Sequence, residues 1–144
     1  MSADDDGATG RARLRWSPLL RAAFWCYAAA LFVTTHWPKL EVPGPAGTDK
    51  AIHIVAFGGW AMMCALCGWF GRPMSGRNVL LSGLVSAAYA GLDEALQEIE
   101  FINRSCEWAD FGANLVGVAG MTLALLVFGR LLERAFPTLL VYEG

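Results

Sequence analysis

Charge is scarce in this chain of 144 residues: only 17% are Asp, Glu, Lys or Arg, against roughly a quarter in an ordinary soluble domain. There is no excess of positive charge either. Eleven Lys and Arg face thirteen Asp and Glu, for a net charge of -2, so no basic field exists to hold nucleic acid. Only two histidines and four cysteines are present. No paired-histidine H-E-x-x-H spacing, P-loop or G-x-S-x-G occurs, and these are the local signatures of zinc, phosphate and acyl-transfer chemistry. No metal site and no cofactor is therefore expected. Runs of alternating polarity are absent too, which argues against a membrane β-barrel.

Apolar residues are abundant. They make up 56% of the chain, and mean hydropathy is +0.42. Disorder needs the opposite composition. A soluble domain of this size leaves much of its surface in water and could not hide so much apolar area. An integral membrane protein remains, of one domain by length.

Four stretches approach the roughly 20 residues that cross a bilayer as helix. They lie at 19–37, 50–70, 79–98 and 110–128. Short connections make neighbours antiparallel, so the expected fold is all-α, a four-helix membrane bundle. The bundle is assigned to 16–136, between a disordered tail at 1–15 and a C-terminal tail at 137–144. Three prolines at 38, 43 and 45 exclude helix in the first connection. Thr48 is expected to cap the second helix with Asp49 in its first turn, and Gly71-Arg72-Pro73 to end it. Arginines precede the first span, but its alanines sit inside the apolar run instead of after it, so an uncleaved span is expected.

Basic residues set the orientation. The N-terminal segment, second connection and C-terminus hold Arg11, Arg13, Arg15, Arg21, Arg72, Arg77, Arg130 and Arg134. The first and third connections hold Lys39, Lys50 and Arg104. Eight against three places both termini in the cytoplasm. The polar residues of the spans then gather at the outer end: His36, Asp49, Lys50, His53, Asp93, Glu94, Gln97, Glu98, Asp110 and Asn114. The inner halves carry almost none.

Residues three or four apart share a helix face. That pairs Asp49 and Lys50 with His53, Asp93 and Glu94 with Gln97, and Asp110 with Asn114. Gly117 and Gly120 continue the last face and would let a neighbour approach. One outward-opening polar pocket is expected, with Arg104 returning over its mouth toward Glu94. His36 beside Trp37 reads as an interface anchor, as do Trp16, Trp69 and Trp108. Cys64 and Cys67 lie mid-span without a cation to activate a thiol, and read as small apolar residues.

The motifs Asp49-Lys50-Ala51-Ile52-His53 with Phe57, Tyr89 with Asp93-Glu94-Ala95-Leu96-Gln97, and Arg104 with Asp110 and Ala113-Asn114-Leu115-Val116-Gly117 follow one another in order. Together they resemble the VanZ-like membrane family, named for a protein linked to teicoplanin resistance. The segment around Cys106-Glu107-Trp108 departs from the family's pattern. The resemblance implies a multi-pass protein of the bacterial cytoplasmic membrane with this polar set as its shared feature.

Two functions follow as expectations. One is a non-catalytic membrane factor whose pocket takes a polar or lipid head group and alters the response to envelope ligands such as glycopeptides. Lys50 and Arg104 would hold an anion, and Glu94 or Asp110 an amine or hydroxyl. The alternative is an enzyme on a lipid-linked envelope substrate, with Glu94 as general base, His53 as proton shuttle and Arg104 on a developing anion. No obvious nucleophile accompanies them. A proton-coupled transporter is disfavoured by the lack of a repeat or broken helix.

Overall fold

The computed structural model describes residues 13–14, 18–37, 44–97, 108–135 and 142–143. Four helices account for nearly all of them: α1 Pro18–His36, α2 Thr48–Cys67, α3 Gly76–Gln97 and α4 Trp108–Ala135. Residues 13–14 pair antiparallel with 142–143, two residues from each expected tail. The class is all-α. Three helices, α2, α3 and α4, are long and apolar enough to cross a membrane by length and composition. α1 is 19 residues long and carries Arg21 near its start and Thr34, Thr35 and His36 at its end.

The helix ends correct two expectations. Gly47 (φ 89°), not Thr48, is the N-cap of α2, and it offers no side-chain bond to the helix. The Thr48 hydroxyl instead donates backwards to the Pro45 carbonyl at 2.8 Å. α2 ends at Cys67, four residues before Gly71, because Gly68 adopts the left-handed conformation (φ 58°) and donates its N–H to the Ala65 carbonyl. That geometry costs glycine little. Ser75 accepts the N–H of Val79 through its carbonyl at 2.9 Å and starts α3 earlier than position 79.

The packing is inverted relative to a soluble protein. Val55, Leu84, Val116, Leu123 and Val127 are among the large apolar side chains that face outward. The buried residues of α3 include Asn78, Ser82, Ser86, Asp93, Glu94 and Gln97. Hydrocarbon as solvent reverses the preference in this way: apolar surface meets lipid and polar groups pair inside. An aromatic and aliphatic core remains between the helices. Phe24 of α1 stacks on Trp60 of α2 at 5.0 Å, and Tyr89 of α3 meets Trp60 at 5.1 Å. Tyr27 donates its hydroxyl to the Ala56 carbonyl at 2.7 Å and ties α1 to α2.

Cross-helix contacts give the directions. Lys50 meets Asp110, His53 meets Asn114, and Gly58 lies against Gly117, so α2 and α4 run parallel. Gly83 lies against Thr122 and Gly91 against Phe111, so α3 runs antiparallel to α4. The closest approach is at Gly117. A Cβ there would sit 2.2 Å from the Ile54 carbonyl oxygen, which no side chain tolerates. Gly120, expected on the same contact, has open space around it.

Candidate functional site

The polar residues at the starts of α2 and α4 form a network. Lys50 donates to Asp110 and also pairs with Asp49 at 2.8 Å. His53 Nδ1 donates to Asn114 Oδ1 at 2.8 Å. Its other ring nitrogen, Nε2, is turned to Asp110 Oδ2 at 3.7 Å, beyond hydrogen-bond reach. Periodicity is the cause. Lys50 and His53 are one turn apart on α2, as are Asp110 and Asn114 on α4, and parallel helices bring the two stripes face to face. The glycine contact at 117, one turn further in, holds the helices close enough for these bonds. Asn114 is fully buried, and its Nδ2 has no partner among the described residues.

A second network is built by α1 and α3 around Asp93, whose side chain is wholly buried. Thr35 donates its hydroxyl to Asp93 Oδ1 at 2.9 Å. Gln97 donates Nε2 to Oδ2 at 3.3 Å. His36 Nδ1 stands 3.6 Å from Oδ1, while the ring stacks on Phe32 at 4.2 Å. His36, at the end of α1, is thus a neighbour of a buried carboxylate, and its Nδ1 lies 2.9 Å from the Phe32 carbonyl oxygen of its own helix. Trp37, Trp69 and Trp108 are exposed at helix ends, where interface anchors sit.

The single pocket drawn from sequence therefore resolves into two groups at one end of the bundle. Asp49, Lys50, His53, Asp110 and Asn114 belong to the first, and Asp93 and Gln97 to the second. Glu94 is buried on α3 beside Asp93. Arg104 and Glu98 lie outside the described residues, as do Cys106 and the turn around them. Among the described residues no three His, Cys, Asp or Glu side chains are grouped to hold a metal ion. Cys64 and Cys67 are buried free thiols.

Several polar residues escaped the sequence reading. Thr35 was one, since threonine is common in membrane helices and bonds its own backbone. Others lie in the half of the bundle expected to be apolar: Asn78, Ser82 and Ser86 are fully buried on α3. Their spacing of four is a stripe visible in the sequence, and it is the signal that could have found them. Asn78 donates Nδ2 to the Ala65 carbonyl at 2.7 Å and accepts the Phe70 N–H at 3.1 Å. It fastens the end of α2 to the start of α3. Ser82 and Thr122 hydroxyls have no partner among the described residues.

No family model, curated protein or solved structure matches the chain.

Proposed function

We propose that this chain is a VanZ-like, four-span protein of the bacterial cytoplasmic membrane, with both termini inside, whose outer polar end binds a polar or lipid head group. α1 is then the fourth span. The observation that carries the proposal is the half-satisfied Asp110 carboxylate. One carboxylate oxygen is held by Lys50, and the other faces His53 Nε2 across 3.7 Å. A ligand hydroxyl or amine could donate to that oxygen, and Asn114 Nδ2, one turn further along α4, is a buried donor without a partner among the described residues. Buried polar atoms are ordinarily satisfied, and ionisable residues within spans mark function by default. Among the described residues no hydroxyl or thiol nucleophile is bonded into the Asp110 network, which favours binding over catalysis. Modulation of the response to envelope ligands such as glycopeptides would follow from head-group capture.

Thermal-shift measurement on the purified protein, with envelope phospholipids, lipid-linked precursors and glycopeptides, tests the reading. Stabilisation by at least one of them, lost in Asn114→Leu, is expected. No shift with any of them overturns it. Turnover of a lipid-linked precursor by wild type, lost in Glu94→Gln, would instead establish the enzyme. Orientation has its own test. A membrane-impermeant maleimide should label Cys106 in intact cells and miss Cys26, Cys64 and Cys67. Labelling of Ser75→Cys with none at Cys106 would reverse the topology.

A further inference from the structure

The end of the bundle opposite Asp110 holds a cavity of about 390 Å³. It is lined by Arg72, Pro73, Met74, Ser75, Gly76, Arg130 and Arg134, where the α2–α3 turn meets the last turns of α4. Three of its seven described lining residues are arginines, and none of the described ones is acidic. Arg130 and Arg134 are one turn apart on α4 and so share a face. Arg72 approaches from the turn.

The turn is built to hold its shape. Met74 is a non-glycine residue with φ 57°, a conformation that is kept only when its surroundings impose it. They do: its side chain is buried and covers Gly129, where a Cβ would come within 3.3 Å of the Met74 sulfur. Asn78 fastens the two helix ends from below. The arginines therefore converge on a fixed floor, which also contains the first residue of α3, Gly76. A helix start favours an anion, and of the first N–H groups of α3 that of Asn78 is taken by the Ser75 hydroxyl at 3.4 Å.

We propose that this cavity binds a phosphate group. Guanidinium groups match phosphate oxygens in charge and geometry. The volume lies within the range of small-ligand sites. The site stands at a helix end of a membrane-type bundle, where basic pockets between helices take acidic head groups. The head group of an anionic phospholipid and free inorganic phosphate share the chemistry. The inference is independent of what the Asp110 end binds.

The test uses the full chain in a neutral detergent. Binding of phosphatidylglycerol, of diacylglycerol (the same lipid anchor without phosphate) and of inorganic phosphate is measured by native mass spectrometry and titration calorimetry. Wild type should bind phosphatidylglycerol and discriminate against diacylglycerol. Arg130→Gln with Arg134→Gln should weaken binding about 30-fold, from roughly 1 kcal/mol per basic residue. Arg130→Lys with Arg134→Lys keeps the charges and should lose less. Arg77→Gln, an exposed arginine outside the cavity, should change nothing. Binding of phosphatidylglycerol but not phosphate names the lipid as the source, and arginine-dependent binding of phosphate names the free anion. Equal binding of diacylglycerol, an equal loss in Arg77→Gln, or binding of neither phosphate compound overturns the proposal. If the double glutamine variant does not fold, Arg72→Gln in the exposed turn decides the same question.

Discussion

Asp110 and Asp93 are carboxylates at the same end of the bundle, yet one is held by charge and the other by neutral donors. Asp110 keeps 13% of its side-chain surface and is met by Lys50, itself 30% exposed and shared with the outlying Asp49. Asp93 keeps no surface, and a threonine hydroxyl and a glutamine amide serve its oxygens. Lysine is a strongly hydrated point charge on a flexible stem, so it serves where its ammonium can still reach water. Deeper in, a hydroxyl or amide satisfies the carboxylate without bringing a second charge out of solvent. The α2–α4 contact is thus built like a wet rim, and the α1–α3 contact like a dry interior.

The sharpest way to break this contrast is to part α2 from α4. Gly117→Ala places a methyl against the Ile54 backbone, and backbone yields less readily than a side chain. We expect a loss of about 3 kcal/mol, the upper part of the overpacking range, with Lys50–Asp110 and His53–Asn114 lost together. The check is the melting temperature of the purified protein. An unchanged value would mean that α2 and α4 are not in contact at Gly117.

Next in size is Thr35→Val, which removes the hydroxyl from Asp93 while keeping the side-chain shape. A hydrogen bond to a buried carboxylate sets the expected loss at about 1.5 kcal/mol, near the upper limit for bonds between membrane helices. Thr34, whose hydroxyl bonds only its own helix among the described residues, at Ala30 and Leu31, is the matched control. Equal effects of Thr34→Val and Thr35→Val would remove the α1–α3 network.

The Lys50 pair should respond less. Lys50→Met is expected to cost about 1 kcal/mol, because the pair is partly wet. Adding Asp110→Asn should recover part of that loss, since a stranded carboxylate is worse than none. Simple additivity in the double variant would show that the two residues do not interact.

Much of this was legible before the fold was known. The ends of the apolar runs carry the ionisable residues, and helical spacing alone paired Lys50 with His53, Asp93 with Gln97, and Asp110 with Asn114. What spacing could not supply was the partner helix. Periodicity shows which residues share a face, while the division into two networks depends on α2 meeting α4 and α1 meeting α3. The helix ends were misplaced because Gly47 and Gly68 act through backbone conformation, whereas Thr48 and Pro73 carry the more conspicuous side-chain signals. Asn78, Ser82 and Ser86 went unseen because small polar side chains interrupt hydropathy so little.

The smallest expected effect separates two glycines that look alike in sequence. Gly117 and Gly120 are three residues apart, and three residues advance a helix by about 300°. The second glycine is therefore turned about 60° from the first. That rotation is enough to carry it off the α2 contact: Gly117 is buried and Gly120 exposed, and nothing lies within 4 Å of a Cβ built at 120. Gly120→Ala meets no atom and removes backbone freedom from the unfolded chain, so it should stabilise the protein by about 0.5 kcal/mol. The same substitution at 117 has the opposite sign. Measured side by side in one detergent, the pair tests the rotation of α4 against α2 without reference to any ligand. A destabilising Gly120→Ala would mean that this face of α4 is covered, by α1 or by a second copy of the chain, and that the lipid-facing side of the bundle has been drawn in the wrong place.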